Sequence, residues 1–376
     1  MTIRALRSGD EPLVAELWRR QFRPNGTMAL APLEQWVQQV YLAHPNRSDD
    51  VPSWLAVTDA GTAEAFAGVT VAQLTGVDGF AGRLATVFPP VVDPTAGRTA
   101  TAGLLLRRVL SGPQDLTWSD GGHPKFERVW RRLGGEVEGL GSLRWVKLFR
   151  PHRHAAAAVQ LPLLQPLLMG TAMAADGGLR SLFAARFTAA GRSPSRGDGA
   201  RPLVPTQSRG IPAGRLLELI EMLQATHPYR LAYQEADLAW RLSSLRGVAT
   251  LAPVVTMEVS SEDGRAVGAY VASLPKGRMG RVFLVAHAPD WDQAVVDRML
   301  ADADERGVTG LIGRLEPSLR RAVVDRGALV HPGGSLRLVH AADRDLQQAA
   351  LLGRLSLPRL EGESWIWWRI DEVLNA

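Results

Sequence analysis

Cysteine is absent from all 376 residues. Its absence excludes a disulfide framework, thiolate zinc sites and a cysteine nucleophile, and it suits a reducing compartment. Dense cationic runs are missing too. The 43 Lys and Arg outnumber the 38 Asp and Glu to give a net charge of +5, but they are scattered, so the chain carries no nucleic-acid arm and DNA is not an expected partner. The eight His are equally dispersed, and His152-x-His154 alone is no metal-ligand spacing, so no metal is expected. The opening Met1-Thr2-Ile3-Arg4-Ala5-Leu6 lacks the apolar stretch of a signal peptide, and a cytoplasmic location is the expectation.

Only one stretch is both long and uncharged, Ala155 to Ala175. Pro162 and Pro166 interrupt it, and two prolines four residues apart break the hydrogen-bond ladder that a lipid-exposed helix needs. It reads as a buried or interfacial connector. Peripheral membrane contact through Lys147, Arg150 and Arg153 is the alternative.

Against these absences stands an ordinary globular composition, 46% hydrophobic and 22% charged. The length exceeds what single hydrophobic cores usually reach, which points to two domains. Thr2 to Leu6 alternates as a strand, Ser8-Gly9-Asp10 offers a turn and a helix cap, and Leu13, Leu17, Trp18 and Phe22 repeat at helical spacing. A second helix covers Leu33 to Leu42. Period-two runs then predict strands at 53–58, 65–74 and 83–93, the last interrupted at Pro89-Pro90. A helix through Leu110, a strand from Leu116 to Ser119, a helix from Pro124 to Leu133 and a strand from Leu143 to Phe149 complete the first half.

A similar order recurs. Helices are expected at 212–225 and 235–245, strands at 252–260, 266–274 and 280–288, a helix at 291–306, a strand at 310–315, a helix at 317–326 and a strand at 335–340. Between the halves, Gly191 to Gly210 is rich in Gly, Pro, Ser and Arg and reads as a linker. The expected division is therefore 1–150, a connector and linker over 151–210, and 211–376.

Two segments of the first half carry chemistry. Val91-Val92-Asp93-Pro94-Thr95-Ala96-Gly97-Arg98-Thr99-Ala100-Thr101-Ala102-Gly103-Leu104-Leu105 links a strand to a helix. It resembles the V-x-P-x-x-R-G-x-G-x-G-x-x-L segment of the GNAT superfamily of acyl-CoA-dependent acyltransferases. Ser119-Asp120-Gly121-Gly122-His123-Pro124 through Leu133-Gly134-Gly135 is similar to the same family's second segment. The resemblance implies an α/β fold of two GNAT-like domains in tandem, each a mixed, mostly antiparallel sheet flanked by helices, the second degenerate. It also implies acetyl-CoA or another acyl-CoA as acyl donor, bound at Val91, Val92, Gly97, Arg98, Thr99, Ala100, Thr101, Ala102 and Gly103. The physics is that of main-chain N–H groups at a helix N-terminus converging on phosphate.

Departures from the pattern are visible. The family's arginine falls on Gly97, two of its glycines fall on Ala100 and Ala102, and its thiolate-protonating tyrosine falls on Trp130 in the first half and Val323 in the second. His123, Asp120 and Ser119 follow a strand end where the family places its site and are the candidate catalytic residues, His123 as base. Their alternative role is capping the next helix. Glu258, Tyr270 and His287 are the weaker candidates of the second half, whose loop His287-Ala288-Pro289-Asp290-Trp291-Asp292 has no glycine and offers Asp290 and Asp292 as helix caps.

Leu110 to Thr117 and the closing Leu357-Pro358-Arg359-Leu360-Glu361-Gly362-Glu363-Ser364-Trp365-Ile366-Trp367-Trp368 are similar to two-domain members of the family associated with bacterial exopolysaccharide gene clusters. That likeness implies a small acceptor, possibly sugar-derived, and polysaccharide biosynthesis. Two readings stand beside it: a tRNA-dependent transferase, which the basic pI suits, and a non-catalytic binding or scaffold protein, which the lost glycines and tyrosines suit.

Overall fold

The computed structural model describes residues 1–23, 29–76, 79–95, 99–151, 205–225, 227–363 and 366. The Ala155–Ala175 stretch, most of the expected linker, and Trp365, Trp367 and Trp368 lie outside the described residues. Strand β1 (Thr2–Ala5) leads into helix α1 (Glu11–Phe22), whose Val14, Leu17 and Trp18 are buried. Asp10 does not cap that helix with its side chain. Its carboxylate pairs with Arg4 and accepts from the Arg7 amide at 3.0 Å. Helix α2 (Ala31–Val37) continues through a π-helical turn, Gln38–Leu42, and sets Trp36 against Trp18 with ring centroids 5.2 Å apart.

Strands β2 (Trp54–Val57), β3 (Ala63–Ala67) and β4 (Val69–Gly76) follow. The run expected as one strand over 65–74 is thus broken at Gly68. The Tyr41 ring lies directly on that glycine, where any Cβ would collide with the phenol. The next run divides as its prolines require, into β5 (Ala81–Val87) and β6 (Val91–Val92). Helix α3 (Thr99–Leu110), β7 (Leu116–Gly122), α4 (Pro124–Arg132), β8 (Glu136–Glu138) and β9 (Leu143–Leu148) complete this part.

The later residues give β10 (Thr206–Gly210), α5 (Ala213–Leu223), β11 (Tyr229–Leu231), α6 (Glu235–Arg246), β12 (Val254–Ser261), β13 (Ala266–Ser273) and β14 (Met279–His287). Then come α7 (Asp292–Glu305), β15 (Gly310–Arg314), α8 (Arg320–Asp325), β16 (Leu329–Pro332), β17 (Leu336–Ala341) and α9 (Arg344–Leu351). Strand β10 falls where composition reads as linker; pairing with β12 makes it a strand. At α7 the cap position belongs to Trp291, whose side chain makes no capping hydrogen bond, and Asp292 is the first residue of the helix.

Three sheets result, flanked by helices, one antiparallel and two mixed. Their orders are β1-β2-β3-β6, β11-β4-β5-β7-β17-β8 and β10-β12-β13-β14-β15-β9-β16. Three strands therefore cross between the halves, the short β11 joining β4. Strand β9 forms as expected, but pairs with β15 and β16, and β17 lies between β7 and β8. Side chains explain the exchange. Trp145 of β9 is 1% exposed and packs over Gly313, where a Cβ would come within 2.6 Å of the indole. Leu338 of β17 enters the core under α3 and α4, and Trp130 of α4 donates to Val339 O at 3.0 Å.

Because two of the three sheets hold strands of both halves, the described halves are expected to unfold together. Leu338→Ala should lower stability by about 2–5 kcal/mol. Urea unfolding followed by far-UV circular dichroism and by tryptophan fluorescence should give coincident midpoints in both proteins; separate transitions would contradict the interlock.

Candidate active site

Strands β5 and β7 run parallel and pair only over Leu84–Thr86 and Leu116–Trp118. Beyond that point they part. One arm turns at Phe88-Pro89-Pro90 into β6, which pairs with β3 on one edge and with no described strand on the other. The other arm continues through Ser119 to Gly122 beside β17. At the point of the V, Trp118 Nε1 donates to Thr86 Oγ1 at 2.7 Å, and Thr86 Oγ1 donates to Glu361 O at 3.2 Å. The closing segment of the described chain is thereby fastened across the point.

That segment brings a carboxyl group against the amides of β7. Glu363, fully buried, accepts from Ser119 Oγ, from the Asp120 amide at 2.9 Å and from the Gly121 amide at 2.7 Å. Burial pushes its pKa well up, and the neighbouring Asp120 carboxylate, hydrogen-bonded to it, adds to the rise against the pull of Ser119 and the Asp120 amide. Two buried carboxyl groups in contact titrate as a pair, and here burial and the neighbouring acid both favour the protonated form of Glu363. Asp120 faces Arg314 at 3.7 Å on its other side. Burial lowers the Arg314 guanidinium to about 10, with Asp120 opposing.

The residues singled out from the sequence are distributed as follows. Ser119 and Asp120 are buried at the pair. His123 is exposed and caps α4, its Nδ1 accepting from Phe126 N at 3.4 Å; burial of part of the ring, then Lys125, lowers its pKa. Val91 and Val92 form β6. Thr99 opens α3, Ala100 is exposed, and Thr101 turns inward to donate to Glu64 at 2.6 Å. Ala102 and Gly103 are half-buried, and a Cβ on Gly103 would meet only Val129, at 3.9 Å. Gly97 and Arg98 lie outside the described residues. Trp130 is buried with its N–H engaged by Val339.

Glu363 is the residue that sequence reading missed as a site group. In the second half, β14 and β15 also run parallel, over Met279–Arg281 and Gly310–Ile312, before parting. There Glu258 is held by Arg209 and Arg215, and Tyr270 donates to Asp302, so both serve structure. Among the described residues no group of three or more His, Asp or Glu could hold a metal, and no helix is long and apolar enough to cross a membrane.

Comparison with solved structures agrees with this fold. A GCN5-related N-acetyltransferase from Kribbella flavida aligns over 91% of this chain and 71% of its own, with TM-score 0.52 and 16% identity. One from Anabaena variabilis aligns over 91% and 73%, with TM-score 0.55 and 10% identity. Eis1 from Mycobacterium abscessus aligns over 95% and 76%, with TM-score 0.50 and 15% identity. No protein-family model matches the chain, and no curated protein matches its sequence. The fold is that of the GNAT acyltransferases.

A further carboxyl group tests the electrostatics of the junction. Glu316 is buried beside Glu138, Arg337 and His227 around a cavity of about 20 Å³. Burial raises its pKa from 4.5 to about 7, against Arg337 and with Glu138. Below 4.5 the group is protonated in the folded and the unfolded chain alike. As pH rises from there to about 7 the unfolded chain ionises first, so stability falls through that window, by roughly 3 kcal/mol for this shift. Glu316→Gln should remove that part of the decline. Urea unfolding of both proteins at the two ends of the window measures it, and equal declines would show Glu316 ionised in the fold.

Proposed function

We propose that this protein is an acyl-CoA-dependent acyltransferase acting on an amine or hydroxyl of a small acceptor, with the Asp120–Glu363 pair as proton acceptor. The observation that supports it best is the parting of β5 and β7, which leaves β6 with no described strand on one edge. Donor binding is assigned to residues 1–150. The β6 edge offers main-chain hydrogen bonds to the thioester arm. The first turn of α3 offers amides beside small residues, Thr101 being turned away toward Glu64. Residues 211–376 supply strand β17 and the closing segment, and their own loop, with Pro289 and no glycine, is not assigned a donor.

In this reading the acceptor attacks the thioester carbonyl carbon, the C–S bond breaks, and the acceptor's proton passes to the carboxyl pair. Ser119 and two amides hold Glu363 in place for that transfer. Trp130 has no acidic proton to give, so the leaving thiolate is protonated by water. Sugars and sugar nucleotides are the first acceptors to test, following the resemblance to exopolysaccharide-associated proteins.

A binding or scaffold role is the second reading, favoured by the complete burial of Glu363 on the β7 amides. The two differ in outcome. Under the first, acetyl-CoA or a longer acyl-CoA raises the melting temperature, and a hundredfold excess over Kd stabilises the fold by about 2.7 kcal/mol. Glu363→Gln should retain that shift while turnover falls by about 10²–10⁴-fold. Absence of any shift with acyl-CoA esters at millimolar concentration would remove the enzymatic reading.

A further inference from the structure

A second opening lies at the far edge of β4, away from β5 and the V. On that edge Val69 N donates to Ser53 Oγ at 2.9 Å, and Gln73 O accepts from Ala232 N at 2.8 Å. Residues of an antiparallel ladder alternate in the edge they face. Val71 therefore turns its N–H and C=O the same way as Val69 and Gln73, since all three stand opposite β5 in unbroken register. No described strand pairs with it there: β2 follows β3, and β11 begins at Leu74.

These two main-chain groups face a cavity of about 250 Å³. Tyr41 lines it, is 4% exposed, and has no hydrogen-bond partner for its hydroxyl among the described residues. His44 forms another wall, its Nδ1 accepting from Asn46 N at 3.1 Å while its Nε2 lies 3.6 Å from Asp237 and makes no hydrogen bond among the described residues. At the mouth stand Arg7 and Arg47. Asp49 pairs with Arg47 at 3.0 Å, whereas no described carboxylate comes within 4.0 Å of the exposed Arg7 guanidinium.

Each feature selects part of a ligand. A donor and an acceptor side by side on a strand edge match one trans amide in an extended chain. A guanidinium at the rim matches a carboxylate. The volume is just under the ~300 Å³ at which drug-sized pockets begin, which limits the occupant to dipeptide size. We propose that this cavity binds a short peptide carboxylate, laid as an added strand on Val71 with its acid group on Arg7 and a polar atom on the Tyr41 hydroxyl. The site does not depend on the acyl-transfer reading, because it uses the edge of β4 opposite the V.

Isothermal titration of the full chain with N-acetylglycylglycine, its C-terminal amide and acetate tests the assignment. The acid should bind saturably, the amide about tenfold or more weakly for want of the charge-assisted bond, and acetate not at all. Arg7→Ala should make acid and amide bind alike, and Tyr41→Phe should weaken the acid about five- to tenfold. Val71→Pro deletes the N–H and should abolish binding, while Val71→Ala keeps it. Where Val71→Pro fails to fold, the Arg7 and Tyr41 variants decide. No binding of the acid at millimolar concentration, or equal binding by wild type, Arg7→Ala and Tyr41→Phe, overturns the proposal. The acyl-CoA thermal shift is independent of either result.

Discussion

The buried guanidinium of Arg314 holds the two halves in register. It extends from the end of β15 and donates through Nη1 to Gly141 O at 2.9 Å and Ser335 O at 3.2 Å, and through Nη2 to Asp120 O and to Ser335 Oγ at 3.0 Å. Gly141 precedes β9 and Ser335 precedes β17, so one side chain spans the points where these two exchanged strands leave their own halves. Its position on Asp120 brings the same group to the candidate site. Removing one member of a buried, paired charge set leaves the others without compensation, typically at about 3–5 kcal/mol, so this guanidinium constrains fold and site together.

Arg337 repeats the logic one strand over. On β17 it pairs with Glu138 of β8 at 3.2 Å and donates to Leu357 O at 2.9 Å. The exchanged strand is thus tied to the sheet it enters and to the segment that continues toward Glu363. In turn Arg241 of α6 bridges Asp237 at 3.1 Å and Glu361 at 2.8 Å, fixing that segment from the side of the second half. Three arginines of the later residues therefore determine where a carboxyl group stands against a strand of the earlier ones. The carboxyl pair belongs to neither half alone.

Much of this was legible in the sequence, and the parts that were not have physical reasons. Helical spacing of Leu13, Leu17 and Trp18, the proline break at 89–90 and the repeated order of strands and helices all depend on neighbours a few residues apart, and these elements formed where expected. Local pattern fails where the partner is distant. Leu143–Leu148 has the same alternation whichever sheet receives it, and only Gly313 and its fit to Trp145 select the sheet of the second half. Gly68 reads as one small residue within a strand, yet the Tyr41 ring from 27 positions earlier makes it a break. At the candidate site, Ser119 and Asp120 drew attention as residues after an expected strand end next to a glycine pair, although β7 runs on through Gly122. The exposure of His123 was not, since a histidine at a cap and a histidine in a cleft share one local sequence.

Glu363 was hidden for a further reason, which lies in two glycines rather than in the acid. A side chain on Gly362 would collide with the Asp120 carboxylate, and a Cβ on Gly121 would come within 2.8 Å of Glu363 Oε1. Neither glycine adopts a left-handed conformation, so neither is there to make a turn. Both are small because two backbones, 241 residues apart between Gly121 and Gly362, approach closely enough for each to present amides or a carboxyl group to the other. Asp120-Gly121 and Gly362-Glu363 are in effect one motif written in two places: an acid and a glycine from each segment, each glycine making room for the other's acid. Read singly, either dipeptide is a turn or a linker. Only the strand exchange that brings the later residues onto β7 makes them a pair.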